Sequence, residues 1–235
     1  MNKFTGVGPY FYAAAVACFG VIQLVVQNFL TGLLPVPDFV PLRWWWMILT
    51  SGIFLLAAVA VFFRFRQQLA MLLLGLVFTI FLLALHLPVL LAHIYVGGNW
   101  AATFEMVMLA SHYLFAASLL LFAIQHIMYN EYIISLIPAW MPARTFLAYL
   151  VIAAYLLCGV SFVIGQRVGL AAFWLGVMFG LWVLLLHAPR AIGKWNVEAE
   201  WTSLFVALAV CGVAFSISRR ESAADLAGII VLPRV

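Results

Sequence analysis

From Trp44 to Phe63 the chain runs for twenty residues without one charged side chain. A helix of that length crosses the hydrocarbon core of a bilayer, which is about 30 Å thick. Further apolar stretches occur from about Tyr10 to Leu33, Gln68 to His93, Ala101 to Met128, Thr145 to Ile164, Gly169 to Ala188 and Trp201 to Ser218. With 68% of residues hydrophobic and 8% charged, the chain has too little polar surface to face water, because a soluble domain carries roughly 25% charged residues. The expectation is therefore an all-α polytopic membrane protein of about seven transmembrane helices, packed as one bundle over residues 1–235. A polar tail is expected at 219–235, since the run from Leu226 to Leu232 is too short to span. The first 33 residues carry only Lys3 ahead of a long apolar run and no clear cleavage site, so they read as the first span rather than a signal peptide.

The punctuation between spans is chemically specific. Pro35, Pro37 and Pro41 follow the first span, and Trp44, Trp45 and Trp46 open the second as an interfacial aromatic belt. Arg64 and Arg66 form a polar turn, and Gly97, Gly98 and Asn99 form another. Residues 100–137 contain neither glycine nor proline, which predicts one long helix followed by an irregular connection.

A shift of 101 residues lays the second half on the first. Pro37 meets Pro138, Pro41 meets Pro142, Arg43 meets Arg144, and Arg66 meets Arg167. Leu74-Gly75 meets Leu175-Gly176, His86-Leu87-Pro88 meets His187-Ala188-Pro189, and Trp100 meets Trp201. Apolar composition alone would align leucines, not Pro, Arg, Gly, His and Trp together. The reading is a duplication, with one unit at about 10–118 and the other at about 112–218, sharing the fourth helix. Three spans separate equivalent helices, so the units should lie in opposite orientation: a 3+3 inverted repeat plus one span. Secondary transporters use that plan, with the functional site at the repeat interface. Basic residues do not orient the chain. Six fall on the N-terminal side (Lys3, Arg64, Arg66, Arg144, Arg190, Lys194) and five on the other (Arg43, Arg167, Arg219, Arg220, Arg234), where the positive-inside rule needs a bias.

Polar groups in lipid cost about 2.5–3.5 kcal/mol each on insertion scales, so their placement carries information. Gln125 and His126 near the end of the fourth helix share a depth with His187 and Arg190 near the end of the sixth. Gln23, Asn28, His86, His93 and Glu105 form the pseudo-symmetric counterpart at the other end. Each His-x-Pro places a histidine beside the carbonyl that proline leaves without a donor, at Ala84 and at Leu185. Such a histidine either donates to backbone and fixes the kink, or serves as a ligand or proton site. Haem would need two histidines at one depth on facing helices. His126 and His187 are the available pair, and no sequence signature supports the assignment. Glu105 suits a helix N-terminus. Cys18, Cys158 and Cys211 are far apart and read as small apolar fillers, with no metal or disulfide motif. The net charge of +4 is spread over short loops and makes no nucleic-acid surface.

The second half resembles DoxX-like bacterial membrane proteins through Ile124-Gln125-His126, Ile137-Pro138-Ala139-Trp140-Met141-Pro142 with Arg144, Gly159, Leu170-Ala171, Leu175-Gly176, Leu186-His187-Ala188-Pro189-Arg190 and Trp201-Thr202-Ser203. The resemblance covers about Ser118 to Phe215, and more weakly about Phe11 to Ala117. It implies a helical bundle in a bacterial cytoplasmic membrane. It also implies a link to quinone-dependent or oxidative-stress redox work, alongside a soluble or membrane redox partner. The candidate ligand-binding residues are Gln125, His126, Trp140, Arg144, His187 and Arg190, and in a redox role the cluster Gln125, His126, His187 and Arg190 would bind a quinone head or a small anion. The chain departs from the family where an acidic residue is common in the second helix: Gly52-Ile53-Phe54 and Ala153-Ala154-Tyr155 stand there. Val89 stands opposite Arg190, so any site belongs to the second half. A small-solute transporter and a scaffold subunit without chemistry of its own are the competing readings.

Overall fold

A computed structural model describes residues 5–92, 103 and 112–231, with the side chains of 112–114 and 223–231 left aside; Lys3, His93 and Glu105 fall outside the described residues. Among the described residues the chain is helical with no strand. The elements are α1 (Gly8–Val26), α2 (Arg43–Phe62), α3 (Gln67–Phe81), a π turn (Leu82–His86) and α4 (Leu87–Ala92). There follow α5 (His112–Met128), α6 (Asn130–Leu136), α7 (Arg144–Ile164), α8 (Val168–Trp182), a second π turn (Val183–His187), α9 (Ala188–Gly193) and α10 (Glu198–Val231). Six helical stretches are long and apolar enough to cross a membrane, and α5 with α6 makes a seventh if that bent pair is one span. The chain is a multi-pass helical membrane protein. Its outward face agrees: Leu56, Leu72 and Leu157 are all largely exposed, which only lipid tolerates over so many positions.

The helices of both halves begin and break at matching positions. α2 opens after left-handed Leu42 and α7 after left-handed Ala143; α3 opens after left-handed Arg66 and α8 after left-handed Arg167. Both π turns end on the histidine of His-x-Pro. The stacked pair Phe54–Phe78, with ring centroids 5.6 Å apart, recurs as Tyr155–Phe179 at 6.1 Å. Each pair of positions differs by 101.

Three expectations need correction, and one feature is new. The first span ends at Val26 rather than near Leu33, because Gln27 turns left-handed at φ 53° and Asn28 accepts the N–H of Phe29. The connection after Met128 is not irregular. It is the short helix α6, bent 92° from α5. Ahead of Pro88 and Pro189 the structure adds a feature that the sequence reading did not contain. The preceding turn widens, so that the N–H groups of Leu87 and Ala188 reach back five residues to the carbonyls of Leu82 and Val183. Widening makes room for a pyrrolidine ring that would strike the carbonyl four residues back. Finally, the last helix does not end near Ser218: α10 carries on as helix through Arg219 and Arg220 to Val231.

α10 is the central helix. Two thirds of its spanning stretch (67%) is buried within protein, against 17% for the α8–α9 stretch. It packs on α1 and α8, while α1 packs on α2 and α5 on α7. The α1–α10 crossing is set by two glycines. A Cβ built on Gly212 would stand 2.6 Å from the carbonyl oxygen of Gly8, and one on Gly8 would stand 2.7 Å from that of Gly212. Small residues let membrane helices approach this closely. On its other side α10 lays Phe215 against Gly176 of α8, a close approach that the missing side chain permits.

Candidate functional site

Where α6 swings away from α5, it leaves a cavity of about 510 Å³ between α5, α6, α7, α8 and α10. Gln125, His126, His187 and Arg190 all line it, so four of the residues singled out by sequence share one chamber. The walls are aromatic: Phe122 and His126 from α5, Tyr129 and Tyr132 around the bend, Tyr155 from α7, Phe179 and Trp182 from α8. Tyr155 holds that wall together. Its ring lies 5.1 Å from His126 edge-on, 5.8 Å from Phe122 and 6.1 Å from Phe179.

His126 Nδ1–H donates to the carbonyl of Phe122 at 2.8 Å, one turn back on its own helix. That bond leaves Nε2 of the neutral ring as an acceptor. His187 sits at the end of the widened turn, and its Nδ1 is buried with no hydrogen-bond partner among the described residues. Arg190, one turn on, donates through Nη2 to Glu200 Oε1 at 3.0 Å and lies 2.9 Å from Oε2. Lys194 Nζ shares that carboxylate at 3.0 Å. Two cations thus share one buried carboxylate at this end of the chamber. The cavity therefore joins a flat aromatic interior to a hydrogen-bonding mouth that carries Arg190. That combination suits an amphipathic, planar ligand with oxygen acceptors at one end, and the volume lies within the usual span of small-molecule sites, about 300–1,000 Å³. Among the described residues no three His, Cys, Asp or Glu side chains gather as a metal site requires.

Trp140 and Arg144 do not join the site. Both side chains are exposed, because the chain enters α7 through left-handed Ala143 and turns them to the surface. Conversely, Glu200 belongs to the site and was hidden among loop charges. The available signal was its position in the first turn of an apolar helix, where a carboxylate is favoured.

The first-half residues do not share a chamber of this kind. Gln23 donates Nε2–H to Thr50 Oγ1 at 3.1 Å. Asn28 accepts from the Arg43 guanidinium, which also donates to the carbonyl of Val36 at 3.1 Å and lies over the Phe29 ring. His86 donates Nε2–H to the carbonyl of Leu33 at 2.8 Å. These bonds tie the 27–43 connection to the bundle. His93 and Glu105, the remaining members expected here, lie outside the described residues. Cys158 and Cys211 are buried and donate to the carbonyls of Ala171 and Gly176, as packing residues do. No family model, curated protein or solved structure matches the chain.

Proposed function

We propose that this protein is a DoxX-like component of a quinone-linked or oxidative-stress redox system in a bacterial cytoplasmic membrane, and that its second half binds the head of a quinone. The observation that carries the reading is the chamber itself, with Tyr155, Phe179 and Trp182 as flat walls and Gln125, His187 and Arg190 as polar contacts. A quinone ring would lie against the aromatic wall, and its oxygens would meet the donors at the mouth. The isoprenoid tail would leave toward lipid. In this role the chain holds the ring and fixes its orientation for a partner that exchanges electrons with it.

The test is photoaffinity labelling in native membranes with an azido-quinone, followed by peptide mapping. Labelling of the α5–α6 bend or α8, removed by excess unmodified quinone, supports the reading. Labelling spread over the lipid-facing surface and insensitive to competitor would sink it.

A second reading, small-solute transport, draws on the paired π turns before Pro88 and Pro189, since broken helices at corresponding positions in two halves mark transporter sites. Uptake into reconstituted vesicles without any effect of quinone would favour it.

A further inference from the structure

The two histidines at the ends of the π turns occupy equivalent places, yet they meet different neighbours. His86 is 3% exposed, and its ring N–H is satisfied by the main-chain carbonyl of Leu33. That carbonyl arrives because the segment after α1 folds inward, burying Phe29, Leu30, Leu33 and Leu34. In the second half the segment after α5 does otherwise. It forms α6, bends 92° and keeps Glu131, Tyr132 and Ser135 at the surface. Among the described residues no carbonyl bonds to His187. Among the described residues its Nδ1 is buried without a partner, no hydrogen bond is made at Nε2, the nitrogen that meets Leu33 in His86, and the ring lines the cavity.

From this contrast we infer that the ligand of the second-half cavity supplies to His187 the carbonyl-type oxygen that Leu33 supplies to His86, with an apolar body filling the space that the first half fills with its own chain. The inference rests on the reading of the chamber as a ligand site and goes further: it names the recognising residue, the recognised atom and the class of ligand, an apolar molecule with an exposed carbonyl. Sequence agrees with the asymmetry. Val89 stands where the second half has Arg190, so the polar group beside His187 has no counterpart beside His86. A ligand carbonyl would give the His187 ring N–H the acceptor that Leu33 gives His86.

The experiment compares 2-methyl-1,4-naphthoquinone with 2-methylnaphthalene, which has the same ring system and no carbonyl, by calorimetric titration of the full-length protein in detergent. The wild type is expected to bind the quinone about tenfold more tightly. His187→Leu should collapse that preference while still binding both compounds, and His187→Gln, which keeps a donor, should restore part of it. The infrared carbonyl stretch of the bound quinone should be lowered in wild type relative to His187→Leu. If the two compounds compete for one site with equal affinity, or the preference survives in a folded His187→Leu variant, the assignment of His187 is overturned while the chamber stands as a ligand site. If neither compound binds saturably, the chamber reading falls and this inference falls with it.

Discussion

His86 and His187 differ in what their removal should do to stability, and the difference is measurable. His86→Leu strands a buried carbonyl at Leu33, which should cost about 1–3 kcal/mol and lower the melting temperature in detergent. Among the described residues His187→Leu breaks no hydrogen bond and removes a buried, unpaired nitrogen, so its melting temperature should hold or rise. An equal fall for both would show that His187 is held by contacts of the same kind as His86. The Glu200 cluster gives a second graded case. Arg190→Ala removes a half-buried cation from a buried carboxylate and should cost about 1–3 kcal/mol. Lys194→Ala removes a well-exposed cation from the same carboxylate and should cost under about 1 kcal/mol. Thermal unfolding followed by tryptophan emission separates the two, and a larger loss for Lys194→Ala would mean that Arg190 is not the principal partner. Gln125, His126, His187 and Arg190 were legible in sequence because polar side chains are rare in apolar helices and these four share a depth. Glu200 was not, because a charge beside Lys194 and Glu198 looks like an ordinary loop residue until the fold buries it.

At the scale of elements, spanning helices were readable because lipid demands a fixed apolar length, and their ends were marked by proline or arginine. The features that build the site were not. Nothing in Met128-Tyr129-Asn130 announces a 92° bend, since the break contains neither glycine nor proline and follows from how α6 packs on α7. The first span was overextended for a related reason: Phe29, Leu30, Leu33 and Leu34 are as apolar as a helix core, but their burial comes from an inward-folded connection. Hydropathy reports burial and leaves conformation open. The α10 crossings, by contrast, make a sharp prediction. A methyl at Gly212 meets the backbone of α1, which cannot step aside as a side chain can. Gly212→Ala should therefore part the helices at a cost of about 1–3 kcal/mol. Gly52→Ala, where a Cβ meets nothing within 4 Å, should be neutral or stabilise α2 by up to about 1 kcal/mol. Paired melts in one detergent check both, and tolerance of Gly212→Ala would mean that α1 and α10 are not in close contact.

For the whole molecule, the matched helix starts, π turns and aromatic pairs bear on how the chain sits in the bilayer. Equivalent helices are separated by three spans when α5 and α6 are counted as one. An odd number of crossings puts equivalent loops on opposite faces, so the connection holding Phe39 and the one holding Trp140 should open to different compartments. Both side chains are strongly exposed, which makes them suitable reporters. In a background where Cys18, Cys158 and Cys211 are replaced by alanine, Phe39→Cys and Trp140→Cys are introduced singly and treated with a membrane-impermeant maleimide in sealed vesicles of known orientation. One should label from outside and the other only after permeabilisation, with the pattern exchanged in inverted vesicles. Labelling of both from one side would require an even number of crossings between them. α5 and α6 would then form a re-entrant segment rather than a span, and the second-half chamber would open on the same side of the membrane as the Arg43 network of the first half.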